Sequence, residues 1–362
     1  MIGMHLRRAF EYVRCGVKRR LHLDVDLLES AASVDELHCG ETITGHPCIA
    51  LPGQYERIEA GAFGIDIARE VAQLQGGPRK IGPTLRYTFD DVLISDATIY
   101  GRGRRKMFNL QAPAPRSEAP GRGEPPWQEY DEAAVRSSYI GCHFFGHWLR
   151  DDSATHLLAS EYGTPISMPT PSWPDQAGYL AVFGQSSLMP RRARVRRLIL
   201  FEDITQNAHK AARFRRLRAL VAHGRAAPAG DRIVYLARGS GGKQRVLVNE
   251  PELTDALARR GVAILQAEAL GVQELLTGLF GARLVISVEG SQLSHALYTL
   301  RDAGGVLAIQ PPNRFFNSHM DWARALGMRY GVVVGERREA GFHVPVADLL
   351  RTIDLMDAAL AQ

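Results

Sequence analysis

The stretch RLVISVEGSQLSHALY, residues 283–298, reads as a buried strand Arg283–Val288, a tight turn through Glu289-Gly290-Ser291-Gln292 and a helix Leu293–Leu300. A short apolar run rich in β-branched residues, bounded by a glycine turn, has the length of a strand and not of a core helix. Working outward, strands are expected at Arg232–Leu236, Ala263–Gln266, Val306–Ile309 and Tyr330–Val334. Helices are expected between them at Glu252–Arg260, Val272–Phe280 and Met320–Leu326, followed by a last helix Val346–Ala359. Strands alternating with helices of about ten residues mean βαβ units and a parallel sheet. The predicted architecture of this part is therefore α/β and Rossmann-like, and the 289–292 turn lies at the carboxyl end of a strand, where open α/β sheets bind ligands.

Toward the amino terminus the pattern is less regular. Thr84–Phe89, Asp91–Ile94 and Ala97–Tyr100 read as strands, and Gln111–Trp127 as a linker rich in Pro, Gly, Ser and Glu. Tyr139–Ala159 carries helical spacing, Tyr179–Phe183 and Arg197–Phe201 look like strands, and His209–His223 is an arginine-rich helix. Val34–Glu70 reads as a loop with small helical pieces. The expected division is an N-terminal extension over 1–82, an α/β domain over 83–227, a Rossmann-like domain over 228–340 and a C-terminal helix over 341–362, with the break at Ala226–Gly230.

A length of 362 residues fits two domains. With 45% hydrophobic and 23% charged residues the chain is an ordinary globular one, which excludes a disordered tail or a coiled coil. No apolar run approaches the ~20 residues that cross a bilayer. The net charge of +5 permits an anionic ligand or a membrane-surface location and demands neither. Four cysteines without a CxxC pair argue against a zinc ribbon, a redox motif or a disulfide scaffold. The start of the chain lacks a secretion signal's apolar core, so a cytoplasmic location is expected.

Three places carry possible chemistry. The 289–292 turn offers backbone N–H groups at a helix start, a fit for phosphate, or is an ordinary strand-to-helix turn capped by Ser291. The loop Arg238–Arg245 gathers Arg238, Lys243 and Arg245 among glycines. It matches neither a Walker loop nor GxGxxG, and reads as a cationic diphosphate grip or as a solvated loop. In Cys142–Asp152, His143, His147 and Asp151 recur every four residues and so share a helix face. A carboxylate one turn from an imidazole makes a general base for an alcohol. The same spacing suits zinc, or a helix start with satisfied histidines beside a buried Trp148. No GxSxG nucleophile motif occurs.

In order along the chain, these pieces resemble glycosyltransferase family 61, which includes bacterial capsule and exopolysaccharide enzymes, plant xylosyltransferases and animal O-linked N-acetylglucosaminyltransferases. The resemblance runs through RIVYLARGSGGKQRVLVNEPEL, LGVQELLTGLFGARLVISVEGSQLSHALY and GGVLAIQPP, with HFFGHWLRDDSATHLL and FDDVLISDATIYGRG upstream. It covers most of the chain from about Thr84. The chain departs from the family's His-Gly…Ala-Gly pattern at Glu289-Gly290-Ser291-Gln292.

The resemblance implies a GT-B-like architecture, two Rossmann-like domains facing across a cleft. It also implies an inverting, metal-independent glycosyltransferase that moves a sugar from a nucleotide diphosphate sugar, UDP-linked by expectation, to a hydroxyl of a glycan or glycolipid, as in surface polysaccharide synthesis. No cofactor or metal is expected beyond the nucleotide-sugar co-substrate. Arg238 and Arg245, with Lys243 as a weaker third, would hold the diphosphate, helped by Gly290, Ser291 and Gln292. Glu289 would turn away or hold a ribose hydroxyl or the donor sugar. Asn249 and Glu250 would order this loop, touch the donor, or simply begin a helix. Asp151 is the first choice for the base, with His147 as its partner or as the base itself. The alternative is a catalytically degenerate protein of the same fold that binds a nucleotide or glycan without transfer. Nucleic acid is not an expected partner, because stacking aromatics are sparse around the basic helix 209–223. Peripheral association with the inner membrane face is compatible with the charge.

Overall fold

The computed structural model describes residues 2–20, 26–108, 126–186, 188–226, 231–239 and 245–361. The chain divides into two discontinuous units, one formed by residues 1–40 and 82–205, the other by 41–81 and 206–362. The division at residue 205 precedes the expected break at Ala226–Gly230, and the basic helix Ala208–Ala222 belongs to the second unit. Residues 41–81, expected within an N-terminal extension, also belong to the second unit.

The second unit contains the parallel sheet. Five strands, β1 (Ile233–Ala237), β2 (Ala263–Gln266), β3 (Leu284–Val288), β4 (Gly305–Gln310) and β5 (Arg329–Val334), pair in the order β2-β1-β3-β4-β5. Both faces are buried, as a parallel sheet requires. Val234, Leu236, Val285, Ala308, Val332 and Val334 pack on one side with Leu275, Leu279, Met320 and Ala323 from the helices Val272–Leu279 and Ser318–Ala325. Tyr235, Ile286, Val288, Leu307 and Val333 pack on the other with Leu253, Leu257, Leu349 and Ile353 from Glu250–Arg259 and Val346–Leu360. The alternation of the strand residues between the two clusters is the period of two made physical. The strand order reverses between β1 and β3, and that switch point is where doubly wound sheets leave a crevice for ligands.

Residues 41–81 lengthen this unit at its edge. Ile49 exchanges backbone hydrogen bonds with Tyr330 and Val332 on β5 (2.9 Å each), and Val334 N–H donates to the Gln54 side chain (2.6 Å). Further along, Ala62 N–H donates to Phe315 O and Phe315 N–H to Ala60 O (2.9 Å each). The small helical pieces expected here are present, at Tyr55–Arg57, Ala62–Gly64 and Ile67–Leu74, and the segment also pairs Glu41–Gly45 with Gly77–Ile81 as antiparallel strands, which the loop reading did not foresee.

The first unit is not Rossmann-like, which corrects the expectation for this half. Its sheet runs Arg104–Met107, Thr98–Gly101, Thr84–Ser95, Arg192–Glu202, Gln128–Val135, Thr164–Ile166, with Ser33–His38 also paired to Thr84–Ser95. Most neighbours are antiparallel, and only the pairs of Gln128–Val135 are parallel. The cause is local. Short turns with left-handed residues at Asp96, Ala97 and Arg102 connect successive strands, and so short a connection joins only antiparallel neighbours.

Three further expectations change. Tyr179–Phe183 is part of a helix, Gln176–Phe183, closed by left-handed Gly184 (φ 61°). A five-residue apolar run does not separate strand from helix, and the glycine stop decides. Tyr139–Ala159 is not one helix: residues 139–143 form turns, Phe144 is extended, and the helix starts at Phe145. The expected helix Leu293–Leu300 is a 3-10 segment Ser291–His295 followed by only four α-helical residues, Ala296–Thr299. Most of the expected linker Gln111–Trp127 lies outside the described residues.

Candidate active site

In the second unit, three arginines approach the carboxyl ends of the parallel strands. Arg238 follows β1 directly and Glu289 follows β3. Arg245 Nη1 donates to the Glu289 carbonyl (2.7 Å) and its Nη2 pairs with the Glu289 carboxylate (3.0 Å). Arg238 Nη1 donates to the same carbonyl (3.2 Å) and to Gln292 Oε1 (3.4 Å). Gln292 is itself fixed, because its amide donates to Val288 O (2.6 Å) and Ser287 Oγ (3.2 Å). Gly290 lets the two guanidiniums come close to the backbone: a Cβ there would displace the ends of the Arg238 and Arg245 side chains.

Arg314 completes the cluster. It sits on the loop after β4, pinned by buried Gln310, which donates to Phe316 O (2.7 Å) and accepts from Phe316 N–H (3.3 Å). Burial pushes the Arg238 guanidinium down to about 10, with the neighbouring Arg245 and Arg314 charges adding to the shift. Arg245 shifts down for the same reasons, burial first. Glu289 is fully buried and its carboxyl is pushed up by that burial against the pull of the three arginines. Three guanidiniums stand against buried Glu289 and exposed Glu268, which also acts on Arg238, and the remaining positive charge is the electrostatic condition for holding a diphosphate.

Beside them a depression of about 250 Å³ is lined by Arg245, Arg314, Phe63 and Phe342 among others. Phe63 is 58% exposed, unusual for its type, and holds a left-handed backbone (φ 56°) that costs a bulky residue energy. The Arg314 guanidinium lies 4.9 Å from its ring centroid. Neither Phe63 nor Arg314 was among the residues expected from sequence. Each sits on a loop whose position depends on long-range pairing, so no local signal marks them.

The other residues expected here divide. Asn249 is engaged structurally: its amide donates to Val344 O (2.8 Å) and its carbonyl accepts from Val344 N–H (3.1 Å). Glu250 accepts from the Tyr235 hydroxyl (2.6 Å). The bonds of both run to Val344 and to Tyr235 of β1, and most of the loop they were expected to order lies outside the described residues. Ser291 opens the 3-10 segment, and four α-helical residues after it build little of the dipole expected at this turn. Lys243 lies outside the described residues.

In the first unit, His147 and Asp151 do meet. Asp151 Oδ2 lies 2.9 Å from His147 Nδ1 and accepts from Arg150 Nε (2.7 Å). His143 is not on this helix, since extended Phe144 breaks the face the spacing predicted. Its ring packs against Tyr139 instead (centroids 4.8 Å apart). The helix takes a π turn over Trp148–Asp152, a rare widening that clusters at functional sites. This turn buries Arg150, Asp151 and Asp152 together. Asp152 accepts from Ser138 N–H (3.0 Å) and Ser138 Oγ (2.8 Å), and burial raises its carboxyl to about 7.

Arg150 Nη2 also lies 2.6 Å from His147 Nδ1. A guanidinium only donates, so Nδ1 either accepts from Arg150 or donates to Asp151. The second tautomer leaves the lone pair on Nε2, the form a general base needs. The Asp151 side chain is 3% exposed and that of His147 15%, so the imidazole is the more accessible of the two. Phe145, Trp148 and Trp173 cluster beside it, with centroids 5.8–6.1 Å apart.

Residues 145–306 match the family model described as Glycosyltransferase 61. The matched segment contains the His147–Asp151 pair and the Arg238–Arg245–Glu289 cluster, whereas Phe63 and Arg314 lie outside it. No curated protein matches the chain. The matched stretch runs from the helix of the acid–imidazole pair into β4, and over it the chain is similar to glycosyltransferase family 61.

Proposed function

We propose that this protein is a glycosyltransferase that moves a sugar from a nucleotide diphosphate sugar, UDP-linked, to a hydroxyl of a glycan or glycolipid with inversion at the anomeric carbon. The observation that carries the reading is the gathering of Arg238, Arg245 and Arg314 at the β1/β3 switch point around Gly290. In a single displacement, negative charge grows on the departing diphosphate while the acceptor oxygen loses a proton. Preorganised cations stabilise the first change, and a base takes the proton. The arginines supply the cations without a metal. His147 is the base and Asp151 its positioning partner, because the imidazole is the more accessible group. Phe63 offers an aromatic face for the nucleobase beside the Arg314 guanidinium. Surface polysaccharide synthesis is a setting that suits such a reaction. Among the described residues no helix is long and apolar enough to cross a membrane.

One observation favours a second reading, a degenerate fold that binds without transfer. Both Arg245 terminal nitrogens are engaged by Glu289, its carbonyl on one and its carboxylate on the other. A phosphate must compete with that carboxylate. Thermal-shift titration with UDP, GDP, CDP and pyrophosphate tests the donor site, since a ligand of the native state raises the melting temperature by mass action. UDP and pyrophosphate should both stabilise the protein. A flat response to all four would overturn the donor site. Stabilisation without any hydrolysis or transfer of UDP-sugars would favour the second reading.

A further inference from the structure

The helix Ile2–Arg20 leaves an apolar stripe uncovered. Leu6, Phe10, Val13 and Val17 are 66%, 60%, 60% and 51% exposed. Spaced by four, three and four residues, they fall on one line along the helix. The opposite side is the one that packs: Cys15 is buried with Leu93, Tyr100 and Trp127. Arg7 pairs with Asp91 (2.8 Å), and Lys18 donates to Arg102 O (3.3 Å). The helix is therefore held on its sheet by one face while its most hydrophobic face points away. A contiguous exposed apolar patch of this kind marks an interaction surface.

Charge selects the partner. Residues 2–20 contain six cations, Arg7, Arg8, Arg14, Lys18, Arg19 and Arg20, against the single carboxylate of Glu11. Arg14 flanks the stripe, its guanidinium 5.5 Å from the Phe10 ring centroid, an arrangement in which a long cationic side chain lies along apolar surface with its head toward water. Two copies of the chain packed stripe to stripe would bring their Arg14 side chains and two helices of net positive charge together. An exposed apolar line flanked by Arg14, on a basic helix too polar overall to span a bilayer, is the pattern of a helix lying in the plane of a membrane surface. We infer that this helix seats the protein on an anionic lipid surface, with Leu6, Phe10, Val13 and Val17 in the acyl boundary and Arg14 at the headgroups. This inference is independent of the donor site, and a lipid-borne acceptor would make the two compatible.

Co-sedimentation of the full chain with phosphatidylcholine vesicles, with and without 30% phosphatidylglycerol, tests it (the fraction is a choice of about one anionic lipid in three). Binding is expected to the anionic vesicles only, weakening as salt rises. The variant carrying Leu6→Gln, Phe10→Gln, Val13→Gln and Val17→Gln should lose that binding by about tenfold or more at an unchanged melting temperature. In a separate Phe10→Trp variant, indole emission should shift to the blue on anionic vesicles. Sedimentation of the quadruple variant like wild type, equal binding to pure phosphatidylcholine, or no vesicle binding at all would overturn the inference. So would a dimer that the quadruple variant dissolves and vesicles do not.

Discussion

The arginine cluster of the second unit and the acid–imidazole pair of the first are assembled in opposite ways. His147, Arg150 and Asp151 lie within one helical turn, and their contacts follow from chain spacing plus a local π turn. Arg238, Glu289 and Arg314 come from three strand ends, and Phe63 from a segment docked onto their loop by backbone bonds at Ala60, Ala62 and Phe315. The local group is nearly buried, whereas Phe63 and Arg314 of the long-range group line a depression together with Arg245. Neighbours in sequence pack against one another within one turn, whereas strand ends brought together by sheet topology leave open space between their loops.

Substitutions that separate the two regions sharpen this contrast. The largest effect is expected from Asp151→Asn, which removes the carboxylate 2.9 Å from His147 Nδ1. Turnover should fall on the order of 10²–10⁴-fold with nucleotide affinity nearly intact, measured by steady-state kinetics beside calorimetric UDP binding. A parallel loss of UDP binding would break the division of labour. Arg245→Ala should act in the other region, weakening pyrophosphate and UDP together by about 1.5–3 kcal/mol. Unchanged pyrophosphate binding would remove Arg245 from the donor site.

Phe63→Ala discriminates within the long-range group. If the ring stacks a base, UDP affinity should drop by about 1–3 kcal/mol while pyrophosphate affinity stays as in wild type. Equal losses for both ligands would mean that the 61–65 segment, and not stacking, was disturbed. The smallest effect is one of pH. His295 is buried at the start of the short helix after β3, and burial lowers its imidazole to about 3 from 6.5. In this window the unfolded chain holds the extra proton, so His295 adds stability as pH rises from about 3 to 6.5 and loses it on acidification. Asp152, pushed up to about 7, acts oppositely: the folded state holds the proton, and stability falls as pH rises from about 4 to 7. His295→Gln should flatten the acid side of the melting-temperature profile, and Asp152→Asn should remove the decline toward neutrality. Profiles unchanged by both substitutions would show that neither group titrates as its burial demands.

Much of the second unit was legible because parallel strands buried on both faces must be written as continuous apolar runs. Leu284–Val288 and Tyr330–Val334 are such runs, with helix-period segments between them. The first unit resisted reading, because its mixed sheet depends on distant pairings such as Leu85 with Glu202 and Gln128 with Ala193, and alternation does not encode the partner. The short run Tyr179–Phe183 was ambiguous for the same reason that its glycine stop was decisive.

By itself the sequence determined the βαβ period, the close spacing of His147 and Asp151, and the cations that flank β1. Spacing and hydrophobic period are properties of the chain that survive any tertiary arrangement. Only the tertiary structure decided that Arg314 and Phe63 join Arg245, that Asn249 pairs with Val344 and Glu250 with Tyr235, and that His143 leaves the helix face. Those outcomes depend on backbone hydrogen bonds between distant segments, whose register no local pattern fixes.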